Sequence, residues 1–217
     1  MPVVPMAPAT ITLFAATAFV LIVVPGPNIL FILSRGAHEG RRAAFASAVG
    51  LELGTLVHVV GTVVGLSALI ASSTLAFNMV RFGGAAYLCY LGIRTLLART
   101  AAEAPAEHAL SGSLPRLVGS AALVNVLNPK VALFFLALLP QYINPKLGSV
   151  TYQALVLGLV FFAIALVLDL IYAAASGRVG AWLRDKPTFR RGQKYLTAAV
   201  LMMLGANAVL VSPATPH

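Results

Sequence analysis

Glu52, Lys130 and Asp169 each lie well inside a long apolar run of the sequence. An ionised side chain at the centre of a membrane helix costs about 2.5–3.5 kcal/mol on insertion scales, so such groups face a cavity or a partner. They can bind a charged solute, carry a proton, or pair with one another. Two backbone interruptions accompany them. Pro25-Gly26-Pro27-Asn28 breaks the first apolar run, and Asn128-Pro129-Lys130 breaks the fourth, three residues after Asn125. Proline supplies no N–H and removes the hydrogen bond to the carbonyl one turn earlier. In a bilayer core that carbonyl must find another partner in the protein or in a water-filled cavity. The two breaks together predict a polar site between them.

Each feature has a plainer reading. The prolines could be kinks without a ligand, Lys130 and Asp169 a purely structural ion pair, and Asn125 and Asn128 interhelical hydrogen-bonding groups. Glu52 could reach toward the inner surface, although its side chain is short for that. His58, which borders a glycine stripe, reads as a packed, neutral histidine.

The elements that must position these residues follow from composition. The chain has 217 residues, 59% hydrophobic and 10% charged, against about 25% charged in soluble domains. Its mean hydropathy is +0.92. These values define an all-α integral membrane protein. The net charge of +9 does not point to nucleic acid. The basic residues gather in short segments between apolar runs, where they set orientation and meet anionic lipid headgroups. Cys89 is the sole cysteine, which excludes an intrachain disulfide and a thiolate metal cluster. The N-terminal run has no basic segment before it and continues past any cleavage point, so it reads as the first span rather than a signal peptide.

Six apolar runs approach the ~20 residues that cross a hydrocarbon core. They cover 10–33, 43–70, 77–98, 116–139, 151–175 and 194–212. The first, third and fifth connections carry twelve Lys and Arg residues, whereas the second and fourth carry only Arg81 and Lys146. The positive-inside rule then puts both termini outside. The segment 99–115 is rich in Ala, Glu, Ser and Pro and reads as a cytoplasmic linker. It divides one transmembrane domain into a first repeat over 10–98 and a second over 116–212. Three helices per half imply inverted repeats, each opening with a Pro-broken helix. Tyr90-Leu-Gly92 and Met203-Leu-Gly205 occupy matching places in the two halves. Gly50, Gly54, Gly61 and Gly65 form one small-residue face in the second run, suited to close helix packing within the chain or in a homodimer. Trp182, in a basic connection, is expected to anchor that segment at the headgroups.

No nucleophile elbow, phosphate-binding glycine loop, His-Glu-x-x-His pair or metal-ligand cluster is present in the sequence, so the residues do not favour an enzyme. A non-transporting scaffold or assembly subunit would explain the glycine face but not the polar groups at depth. Export of some other small metabolite or a cation stays open, although a cation site should gather more carboxylates or thiolates.

Pro25-Gly-Pro-Asn28, Gly40-Arg-Arg42, Gly84-Ala-Ala-Tyr-Leu88 with Tyr90-Leu-Gly92, Asn128-Pro-Lys130 and Leu139-Pro-Gln-Tyr142 occur in this order. Together they resemble the LysE/RhtB family of amino-acid exporters over nearly the whole chain, most closely the homoserine and threonine exporter branch. Tyr142 stands where the family pattern most often has Phe, and Glu52 is a less typical intramembrane acid. The resemblance implies a multi-pass protein of the bacterial inner membrane that exports small amino acids from the cytoplasm without a cofactor. Its implied substrate contacts are Pro25, Gly26, Pro27, Asn28, Asn125, Asn128, Pro129 and Lys130. Helix-end amides and Lys130 would take the α-carboxylate, and carbonyls with Asp169 or Glu52 the α-amine. Proton antiport would run through Asp169, with Glu52 as the second candidate.

Overall fold

The computed structural model describes residues 6–72, 74–97, 113–184 and 187–210. All but the end of the expected linker at 99–115 lies outside them, as do the side chains of Trp182 and of most basic residues in the fifth connection. Among the described residues the chain is all helical. The helices are α1 (Pro8–Val23), α2 (Pro27–Glu39), α3 (Arg41–Ser72), α4 (Thr74–Leu97), α5 (Leu114–Val126), α6 (Pro129–Leu133), α7 (Val150–Arg184) and α8 (Pro187–Leu210).

The first run divides where proline chemistry requires it. Val24, before Pro25, is extended at ψ 117°, and Gly26 is extended too. A residue preceding proline is pushed out of the helical region, so α1 stops. Pro27 then starts α2, where a missing N–H is harmless, and the two helices meet at a 50° bend. The fourth run divides in the same way. Asn128 is extended before Pro129, its side chain caps α6 by accepting from Lys130 N at 3.1 Å, and the bend is 48°. Gly40 closes the α2–α3 corner at φ 88°, a conformation that favours glycine. That accounts for the glycine of the Gly40-Arg-Arg42 motif.

Beyond α6 the helix widens to a π turn over Phe134–Leu138 and then tightens to a 3₁₀ turn over Leu139–Tyr142. Pro140 withholds an N–H here, and the Gln141 side chain satisfies the Ala137 carbonyl at 2.7 Å. The altered winding turns both Phe134 and Phe135 inward, where they meet Phe161 at 4.9 Å each. Phe14 packs on Phe134 and on Tyr142, whose hydroxyl shares a 2.8 Å hydrogen bond with Thr17. The sequence reading continued a plain span to 139 and did not anticipate this turn.

Within α3 the stretch Arg41–Gly65, and within α7 the stretch Val150–Gly177, are each long and apolar enough to cross a membrane. Each bent pair, Pro8–Val23 with Pro27–Glu39 and Leu114–Val126 with Pro129–Tyr142, suffices if taken as one span. The described residues thus hold two to four candidate spans, and Phe82–Leu97 and Lys194–Ala206 are shorter apolar helices.

Helix α3 packs along α5 and α7, α2 along α3 and α7, and α4 along α8. Two apolar clusters result. The larger holds Phe14, Phe134, Phe135, Phe161 and Ala165, and the smaller holds Ile32, Ala44, Ala48, Leu51 and Ala173. On α3 and α7 alike, the buried acid lies between residues of the two clusters.

The glycine face is corrected by half. A Cβ on Gly50 would stand 2.3 Å from the Val118 carbonyl, and one on Gly54 2.7 Å from that of Ala122. These two glycines let α3 touch α5. Gly61 and Gly65 meet nothing within 4 Å among the described residues. Gly50→Ala is therefore expected to destabilise the protein by about 1–3 kcal/mol. Gly61→Ala should be neutral or stabilising by up to about 1 kcal/mol. Thermal unfolding of both variants in detergent reads the difference.

Candidate functional site

The two breaks place equivalent residues at equivalent helix positions. Gly26-Pro27-Asn28 opens α2 and Asn128-Pro129-Lys130 opens α6, each as cap, proline and polar second residue. The carbonyls around the first break are satisfied across the molecule rather than along the helix. Lys130 Nζ donates to Val24 O at 2.8 Å, Thr197 Oγ1 to Pro25 O at 3.1 Å, and Tyr172 OH to Val23 O at 3.4 Å. Their three donors come from α6, α8 and α7. At the second break, His58 Nε2 meets Asn125 O at 3.1 Å while its ring stacks on Phe135. A carbonyl only accepts, so Nε2 carries a proton and donates that bond, and the ring is packed as expected from sequence.

An amide lattice ties the breaks together. Asn128 Nδ2 donates to Asn28 Oδ1 at 2.8 Å, and Asn28 Nδ2 donates to Asn125 Oδ1 at 2.9 Å. Asn125 Nδ2 in turn donates to Thr55 Oγ1 at 2.8 Å and to the Leu51 carbonyl. Asn125 and Asn128 are 1% and 3% exposed, so a broken link would strand a buried polar group.

Beside this lattice is a cavity of about 30 Å³, lined on its polar side by Gly26, Asn28, Glu52, Thr55, Asn128, Lys130 and Asp169. Phe161, Ala165 and Val131 contribute to its apolar wall. It has room for a few water molecules and lies far below the ~300 Å³ of an open ligand pocket. Glu52 and Asp169 are each 3% exposed. Their carboxyl groups lie within hydrogen-bonding reach of each other, and Thr55 adjoins Glu52. Lys130 does not form the ion pair with Asp169 that the sequence allowed. Its ammonium lies over Gly26, where a Cβ would approach it to 3.4 Å, and donates to Val24. One oxygen of Glu52, Oε2, is buried without a hydrogen-bond partner.

Six of the ten residues singled out from the sequence therefore line one cavity: Gly26, Asn28, Asn128, Lys130, Glu52 and Asp169. Pro25, Pro27 and Pro129 shape the breaks without lining it, and Asn125 sits behind it as the hub of the amide lattice. Thr55, Tyr172 and Thr197 were missed. A hydroxyl in an apolar helix carries no signal of its own, since it can bond its own helix, as Thr12 and Thr17 do. Thr55 lies one turn from Glu52 on the same face, the single clue the sequence held. Among the described residues no group of three His, Cys, Asp or Glu side chains could hold a metal.

Two helices broken in the same way, joined by side chains and enclosing buried charge, form the candidate site of a membrane protein. The LysE type translocator family model matches residues 19–212, and the chain belongs to that family. It is a membrane translocator and not an enzyme. A homoserine/homoserine lactone efflux protein of Salmonella typhimurium is 33% identical over 195 residues, covering 89% of this chain and 92% of that one. The protein of the same description from Salmonella typhi is 32% identical over 195 residues, with the same coverage. An uncharacterized membrane protein of Vibrio cholerae is 32% identical over 200 residues, covering 92% of this chain and 95% of the relative. No solved structure matches the chain.

Replacing Asn125 with Ala removes the donor to Thr55 and Leu51 and the acceptor for Asn28. The variant is expected to lose about 1–3 kcal/mol, the range for stranding a buried polar partner, measured as a lowered unfolding temperature in detergent.

Proposed function

We propose that the protein exports small amino acids or close derivatives, of homoserine or threonine size, from the cytoplasm by proton antiport. The observation that carries this is the meeting of two broken helices around a buried cavity that holds one ammonium and two carboxyl groups. An amino-acid zwitterion needs an anion site and a cation site within a few ångströms. The α2 N-terminus has no side-chain cap and lies beside Lys130, which suits a carboxylate. Glu52 and Asp169, opposite, suit an ammonium and a proton. The printed descriptions of the Salmonella relatives support a substrate of this class.

The architecture proposed is six spans in two inverted repeats. Its support is an arrangement preserved when the halves are exchanged. The first helix of each half is bent by 50° or 48°. The segment before each break packs on the second helix of the other half, α5 on α3 and α1 on α7, while α3 pairs with α7 and α4 with α8. With the basic connections cytoplasmic, both termini lie outside the inner membrane. The cavity of about 30 Å³ is too small to hold an amino acid, so loading requires movement at the breaks. Toward the outside it is covered by the Phe14, Phe134, Phe161 and Tyr142 layer. Toward the cytoplasm it is covered by the close approach of Gly36 to Ser176, where a Cβ on Gly36 would overlap the serine hydroxyl at 1.9 Å.

Inside-out vesicles given labelled amino acids test this. Wild type should accumulate one or a few of them, several-fold more with an imposed proton gradient, and Lys130→Ala should lose at least about tenfold of the rate at equal protein in the membrane. Asp169→Asn should lose the gradient dependence while retaining exchange. Normal rates in Lys130→Ala, or an unchanged gradient response in Asp169→Asn, contradict the assigned roles.

A further inference from the structure

Glu52 is the residue least expected from the family resemblance, and the structure leaves it with an unmet need. Its Oε2 is buried with no partner, in a side chain 3% exposed that lines the cavity. A carboxylate oxygen accepts hydrogen bonds, so what it lacks is a donor. Every other polar group at the site is engaged or facing its match. Lys130 is held by Val24 O and by the space over Gly26. The three asparagines and Thr55 are committed to one another. His58 is turned to the Asn125 carbonyl.

The ionisable groups around Glu52 are few. From α7 come Asp169, in contact, and Tyr172, which is directed at Val23 O. From α6 comes Lys130, and from α3 itself His58, two turns away. Helices α1, α2 and α5 bring no ionisable group to the cavity. Two carboxyl groups lining one small, buried cavity with one committed lysine form a seat for a single added monovalent cation with hydrogens to donate.

We propose that Glu52 receives the substrate's ammonium group, and that this ammonium takes the place of a proton otherwise held between Glu52 and Asp169. This rests on the exporter reading above and assigns the division of labour within it. The exchange balances. The pair gives up one proton to water and accepts N–H donors from one ammonium, and its own charge together with the seated cation stays the same. Proton and substrate then occupy one seat in turn, which makes their exchange obligatory without a second site. The recognised class is the primary ammonium on a small carbon frame, with the carboxyl group as a secondary feature read at Lys130.

The test uses the full-length protein in inside-out vesicles, with threonine and homoserine as labelled probes. In the wild type the apparent KM should rise as the pH of the bath, the cytoplasmic side, is lowered, approaching about tenfold per pH unit. Unlabelled threonine methyl ester, which keeps the ammonium, should compete, and N-acetylthreonine should not. Glu52→Gln, nearly isosteric and measured at equal protein in the membrane, should raise KM at least about tenfold and flatten its pH dependence. Glu52→Asp, with the charge retained, should keep the dependence. A Glu52→Gln protein with wild-type KM and pH slope, or equal competition by N-acetylthreonine, overturns the inference while leaving export intact. Wild-type vesicles that accumulate neither probe nor any other amino acid overturn the exporter reading instead, and this inference with it.

Discussion

The structure depends on one constraint, that a helix broken inside an apolar medium leaves carbonyl groups without partners. Water would satisfy them in a soluble protein, but a hydrocarbon core offers none, and each orphan costs several kcal/mol. Here the carbonyls of Val23, Val24 and Pro25 are met by Tyr172, Lys130 and Thr197, and that of Asn125 by His58. At the first break all three donors come from the second half of the chain. The breaks can therefore persist only while the two halves are docked, and the bonds that stabilise the bends are the same bonds that hold the halves together.

That arrangement explains why the polar residues gather. The amide lattice of Asn28, Asn125 and Asn128 joins one break to the other, and Thr55 and Leu51 attach it to α3. The lattice is fully committed, so it resists solvation and fixes the register of the bends. The charged groups beside it differ, because Lys130 has one partner in a backbone carbonyl and Glu52 has an oxygen with none. Rigid amides and a carboxyl group with one unpartnered oxygen thus stand side by side at the cavity. The flanks are held by packing rather than by polar bonds between helices, with aromatic rings around Phe134 on one side and the close approach of Gly36 to Ser176 on another.

Much of this was legible in the sequence because proline and buried charge are strong local signals. Pro25, Pro27 and Pro129 marked both breaks to within a residue, and the place of Glu52, Lys130 and Asp169 inside apolar runs marked them as site candidates. What the sequence could not supply was pairing. A Lys130–Asp169 ion pair was as consistent with depth as the bond to Val24, since helix rotation decides it. The four glycines looked equivalent by period, yet among the described residues Gly50 and Gly54 have a helix opposite them and Gly61 and Gly65 do not. The π turn at Phe134–Leu138 was hidden because its apolar residues are compatible with an ordinary helix. Tyr172 and Thr197 were invisible because they act on carbonyls about 150 or more residues away.

On the proposed function, substrate passes through the cavity between the breaks. Cysteine accessibility at Ala165 tests it most directly, because that residue lines the cavity while only 5% exposed, and Cys89 can be replaced to clear the background. In sealed vesicles of either orientation, Ala165→Cys should react with a small, neutral, membrane-impermeant thiol reagent from both faces, and saturating substrate should slow the reaction. A cysteine there that reacts from neither face, while one placed at an exposed helix end reacts normally, would contradict the account.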